Sequence, residues 1–264
     1  MTLYKTGKQN WACKSPDTCF PFMIENKLLM NNIYSPKILI KFLDAKDVKK
    51  VLGGNLKMGS VKKYREEYKE EAGLRHDNNE FCDHSFVADQ NIDIIIQYKG
   101  HQVGEASEIK NRLNFDQRSY IFSMSAITNC LFIKNNTWCF DNRVQKLGDK
   151  AILIKDPYEF VRRIKIAIQA EPFLLAYPGT DGRCSGLVEY IDFDTHSGPI
   201  GPFRKSKEYD FQKEWRLGLI DSRNDMPIYL DYHFLEVGDL SDISFAVDTN
   251  TLIHPGFTLE YKVL

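Results

Sequence analysis

Tyr209-Asp210-Phe211-Gln212-Lys213-Glu214-Trp215-Arg216-Leu217-Gly218-Leu219 decides how the rest of the chain is read. Taken as a strand, it sends Trp215, Leu217 and Leu219 to one face and Gln212, Glu214 and Arg216 to the other. A second stretch, Arg118-Ser119-Tyr120-Ile121-Phe122-Ser123-Met124-Ser125, alternates in the same way. Ser123 and Ser125 share a face with Ile121, and Tyr120, Phe122 and Met124 take the opposite one.

Working outward, Ile38–Leu43 reads as a strand of β-branched and bulky residues. Asp44 stands where it would cap a helix over Ala45–Leu52, with Asp47 in the first turn and a stop at Gly53-Gly54. Asn55–Ser60 predicts a returning strand, Val61–Glu71 a charged helix and Gly73–His84 a polar loop. Further strands are expected at Ile92–Tyr98, Ala151–Ile154, Leu187–Phe193, Ile228–Leu230 and Phe245–Val247. The clearest helix signal begins at Asp156-Pro157, a capping residue followed by proline, and carries Phe160, Val161, Ile164, Ala167 and Ile168 at helical spacing. Many short strands with a few helices, and no repeat or linker, predict one α+β domain over 37–264 behind an irregular leader at 1–36.

With 43% hydrophobic and 27% charged residues, the 264-residue chain has the composition of a folded protein and excludes a disordered or fibrous one. Its 35 Lys and Arg against 36 Asp and Glu give no overall basic field, so only a local basic groove could hold nucleic acid. No apolar run approaches the roughly 20 residues that span a bilayer, so no membrane partner is expected. Met1–Asn10 is polar and lacks the apolar core of a secretion signal, so a cytoplasmic location is expected. Cys13, Cys19, Cys82, Cys130, Cys139 and Cys184 form no C-x-x-C pair and are expected to be thiols, with no metal site. Neither a phosphate-binding glycine loop nor a nucleophile elbow nor an H-E-x-x-H helix occurs.

Three places could carry chemistry. Glu214 could accept hydrogen bonds from ribose hydroxyls and stabilise positive charge developing at an anomeric carbon, with Gln212 and Arg216 beside it. A solvated strand face with an internal Glu–Arg pair is the alternative for that segment. Ser123 and Ser125 could orient a polar neighbour such as Glu214, or be half-exposed strand residues bonded to backbone. Lys41, a cation inside an apolar strand, could meet a diphosphate, and Tyr64 could stack on a flat heteroaromatic ring. An edge-strand charge and a partly buried tyrosine are the alternatives there.

In order, these segments resemble a broad bacterial family linked to abortive phage infection. The likeness runs from Ile38 through Gly53-Gly54 and Met58-Gly59-Ser60 to Tyr64-Arg65, and from Ile121–Ser125 to Asn129 and Trp138. It closes on Phe203-Arg204-Lys205 and Phe211-Gln212-Lys213-Glu214-Trp215-Arg216, similar to an ending of the type F-x-K…W-x-Y-E-x-E-W-R. The family's N-D-P-F-E-like loop is reduced here to Asn78-Asn79-Glu80-Phe81, and the first acid of its E-x-E is Gln212.

The same order of motifs is similar to the ADP-ribosyltransferase superfamily: a cationic strand, a central Ser strand and a late [Q/E]-x-E strand. That likeness implies two small, mostly antiparallel sheets with flanking helices, clasping NAD as substrate. It implies Glu214, Gln212 and Ser123 as catalytic residues, and Lys41, Tyr64, Ser125 and Arg216 as binders of the dinucleotide. The expected function is an NAD-dependent mono-ADP-ribosyltransferase-like toxin or phage-defence effector. A macromolecular acceptor, protein or nucleic acid, and an antitoxin or phage trigger would be its partners. The alternatives are a non-catalytic module of the same fold that senses a nucleotide or phage component, and a nucleic-acid-processing effector acting through Lys62-Lys63-Tyr64-Arg65 and Phe203–Lys207.

Overall fold

The computed structural model describes residues 35–67, 84–87, 94–98, 101–106, 108–111, 118–128, 140–177, 180, 182–223, 230–254 and 257. Residues 1–34 of the expected leader, Asn78–Phe81, Asn129, Trp138 and all cysteines except the buried thiol Cys184 lie outside the described residues.

Sixteen strands are described. They are β1 (Pro36–Leu43), β2 (Asn55–Ser60), β3 (His84–Val87), β4 (Ile94–Tyr98), β5 (His101–Ala106), β6 (Glu108–Asn111), β7 (Ser119–Thr128) and β8 (Lys150–Ile154). There follow β9 (Leu174–Ala176), β10 (Ser185–Leu187), β11 (Glu189–Ile191), β12 (Gly198–Pro199), β13 (Arg204–Ser206), β14 (Glu214–Asp221), β15 (Tyr232–Glu236) and β16 (Ser244–Asp248). The protein is a mixed α+β chain with mostly antiparallel pairing; β11 and β13 pair in parallel. Instead of two small sheets, a single sheet gathers nine strands, in the order β10-β14-β7-β1-β8-β16, with β2, β15 and β9 branching from that path.

The branch at β7 shapes everything that follows. One edge of β7 is paired with β14 from Ser119 to Ser125. Its other edge is shared: β2 takes Tyr120 and Ile121, and β1 takes Ser125 to Thr128. Between them β1 and β2 diverge, β1 continuing with β8 and β2 with β15. The sheet therefore forks over Phe122, Ser123 and Met124.

Both faces of the trunk are covered, which is why β7, β8 and β14 are buried along nearly their whole length. On one side the helix Pro157–Ala170 lays down Phe160, Val161, Ile164, Ala167 and Ile168, the stripe expected from its periodicity, against Leu39, Phe122, Trp215 and Leu217. At roughly 1.5–3 kcal/mol for each buried apolar side chain, this one helix contributes a large share of the core. Asp156 caps it, accepting from the Glu159 amide at 2.9 Å. On the other side Ile40, Phe42, Ile127, Ala151 and Leu153 meet Phe140, Val144 and Leu252.

Several expectations need local correction. Asp44 makes no side-chain cap; the Ala45 amide is taken by the Asp149 carboxylate at 2.8 Å, and Ala45–Asp47 is a 3-10 turn leading into the helix Val48–Leu52. The left-handed residue that ends it is Gly54, at φ 90°. Of the helix expected over Val61–Glu71, Val61–Glu67 is helical and residues 68–71 lie outside the described residues. Of the strand expected at Ile228–Leu230, residues 228 and 229 lie outside the described residues and Leu230 is not in a strand. Among the described residues no helix is long and apolar enough to cross a membrane.

Candidate functional site

The fork opens into a cavity of about 640 Å³, within the range of small-molecule sites. Lys41, Tyr64, Ser123, Ser125, Gln212, Glu214 and Arg216, all the residues singled out in the sequence, line it. They do not reach it from one surface. Directly opposed residues of an antiparallel pair share a face, so Ser125 with Glu214 and Ser123 with Arg216 form one polar patch on β7 and β14. Lys41 lies one residue beyond Ile40, which opposes Ser125, and so leaves β1 on the opposite face, beside Leu39 and Leu43. Its ammonium stands 4.5 Å from the Phe122 ring centre and donates to the Ser123 carbonyl at 2.7 Å. That carbonyl sits in the gap where β7 has neither β1 nor β2 alongside. Lys41 thus satisfies a backbone acceptor that the fork leaves open.

Gln212 is not on the strand. Lys207–Gln212 is a 3-10 turn, and Lys213 adopts a left-handed conformation, φ 46°, before β14 begins at Glu214. The turn still delivers Gln212 to the site: the Ser125 hydroxyl donates to its backbone carbonyl at 2.6 Å, and its side-chain carbonyl accepts from Lys205 Nζ at 2.8 Å.

Glu214 is only 8% exposed, and both its oxygens are engaged: Oε1 accepts from Lys205 Nζ at 2.9 Å and Oε2 from Arg216 Nε at 2.6 Å. Arg216 also donates to the Pro202 carbonyl at 2.8 Å. The internal Glu–Arg pair is therefore present, but on a buried face instead of a solvated one. Burial pushes the Glu214 carboxyl up. The charges of Arg216 and Lys205, with their hydrogen bonds, outweigh it and hold the group at about 2. An ionised carboxylate has about four lone-pair sites, so a clamped Glu214 can still accept a hydroxyl.

Lys205, in the sequence a residue of the Phe203-x-Lys205 motif and of the basic piece Phe203–Lys207, carries no sequence signal for a place beside Glu214. Its place depends on the parallel pairing of β11 and β13, which sets Tyr190 beside Lys205. The Tyr190 hydroxyl accepts from the Glu214 amide at 2.8 Å, and burial first, then the Glu214 charge, pushes its pKa up.

On the β2 side, the Tyr64 ring packs on Val61 and Ile121 and crosses Gly59 so closely that a Cβ there would lie 2.7 Å from the ring. Lys57, Lys63, Tyr232 and Phe234 line the same side; β15 carries the two aromatics and was not foreseen. In all, seven Lys and Arg residues line the cavity against three Asp and Glu. Among the described residues no three His, Cys, Asp or Glu side chains are grouped to hold a metal ion. Comparison with protein-family models, curated proteins and solved structures finds no match to the chain.

Proposed function

We propose that the fork cavity binds a phosphate-bearing dinucleotide of the NAD class, and that the protein is an ADP-ribosyltransferase-like effector in which Glu214 contacts the nicotinamide ribose. The observation that carries this is the local excess of positive charge. A chain of net charge −1 concentrates seven cations against three acids around one cavity that also holds an ionised, buried carboxylate. A cleft whose lining is net positive raises the local concentration of anions, and a diphosphate is the part of NAD such a lining selects.

In the transfer step, the bond between ribose C1′ and the nicotinamide nitrogen breaks and its electron pair leaves with neutral nicotinamide. The oxocarbenium-like ribose then bonds to a nucleophile of a protein or nucleic-acid acceptor, whose proton is released. Glu214 would accept a ribose hydroxyl and stabilise the positive ring. Ser125 and Lys205 act through Gln212 and Glu214 as positioning residues.

A second reading, nucleotide sensing without turnover, is favoured by the clamp itself: a carboxylate already shared by Lys205 and Arg216 offers less negative potential to a cationic transition state. One experiment separates them. Wild-type protein is incubated with NAD, and free nicotinamide is followed by chromatography beside a thermal-shift titration. A shift with nicotinamide release, water taking the ribose at C1′ in place of the acceptor, abolished in Glu214→Gln, supports the cleavage step of transfer; a shift with NAD intact supports sensing. No shift and no release overturns both.

A further inference from the structure

We infer that the arm of the sheet made by β2 and β15 carries a platform for the nucleobase of the bound ligand, with Phe234 as the stacking face. This rests on the reading of the cavity as a nucleotide site. Alternation on β15 sends His233 and Leu235 inward, Leu235 being fully buried, and Tyr232 and Phe234 outward to the cavity. The register sets Lys57 opposite Phe234 and Gly59 opposite Tyr232.

The two rings are not equivalent. Tyr232 is occupied by cations, with Lys57 Nζ 3.6 Å and Lys63 Nζ 4.4 Å from its ring centre. Phe234 has no polar handle and is 50% exposed, with its ring centre 6.5 Å from that of Tyr232 at 45°. An apolar ring held on a strand, at the wall of a cavity rich in lysine, offers a π-face to a flat base while a cation beside it meets the phosphate. Lys57, directly across the strand pair, is that cation. The ligand class is a purine or nicotinamide nucleotide, discriminated from phosphate or pyrophosphate alone by the ring.

The test compares NAD, AMP and inorganic pyrophosphate by isothermal titration on wild type, Phe234→Ala and Phe234→Trp. Phe234 is half-exposed, so each variant's melting temperature is checked first against wild type. Phe234→Ala is expected to weaken NAD and AMP by about 5- to 150-fold while leaving pyrophosphate unchanged, and Phe234→Trp to restore base binding. Wild-type affinity for NAD that survives Phe234→Ala, or an equal loss for pyrophosphate, overturns the platform and leaves the nucleotide site standing. Absence of nucleotide binding by wild type overturns the site and the platform together.

Discussion

Replacing Glu214 by Gln removes one negative charge from between two buried cations, and the cost follows from the geometry. The carboxyl is held at about 2 instead of its ordinary value near 4.5. Breaking one partner out of a buried ion pair costs roughly 3–5 kcal/mol in general, because a charge is left buried without its counterion. The sign is fixed by linkage. A depressed folded-state pKa stabilises above the unfolded value near 4.5, and that stability is lost as pH falls toward 2. Urea unfolding of wild type and Glu214→Gln should therefore differ by roughly 3–5 kcal/mol at pH 7, with the gap closing progressively below pH 4.5. Adding Lys205→Met to Glu214→Gln should cost less than the sum of the single changes, because it removes one stranded cation. A Glu214→Gln protein as stable as wild type at pH 7, or a gap indifferent to pH, would refute the account of the cluster.

Asp156→Ala, which removes the cap of the helix Pro157–Ala170, should cost about 1 kcal/mol and lower the melting temperature by roughly 2–4 °C in scanning calorimetry; an unchanged transition counts against the cap. Gly54→Ala meets two obstacles, a φ of 90° and a Cβ 2.0 Å from the Gly238 carbonyl oxygen, and should cost more than about 3 kcal/mol in urea unfolding. Gly59→Val should push the Tyr64 ring aside and weaken NAD about 3- to 10-fold by titration, and equal affinity would show that Tyr64 does not touch the ligand. Lys41→Met leaves the Ser123 carbonyl without its ammonium donor and should cost about 1–3 kcal/mol in urea unfolding; no cost would show that the fork does not need it.

What was legible in the sequence was whatever repeats with a period. The stripe from Phe160 to Ile168, the cap and proline before it, and the alternation of Trp215, Leu217 and Leu219 against Glu214 and Arg216 all carry their structure locally. The break at Lys213 does not: a lysine at φ 46° has no sequence signal, so Gln212 read as part of the strand when it ends a 3-10 turn. The fork is likewise invisible, because it arises when two distant strands share one edge of β7. The register, with Ile40 and Glu214 both opposite Ser125, also puts Lys41 and Glu214 on opposite faces of the sheet although both line the cavity. β15 has no strand signal because half-buried Tyr232 and exposed Phe234 make its outer face aromatic, against the usual polar-outside alternation. The contact of Lys205 with Glu214 is not legible because it comes from a parallel pairing of β13 with β11, which no local pattern reports.

The most direct measurement is a crystal structure of the protein grown with NAD. The account predicts density for the dinucleotide, intact or cleaved, inside the fork between β1 and β2, with a sugar hydroxyl on Glu214. An empty cavity at saturating NAD, or a ligand bound elsewhere on the molecule, would contradict it.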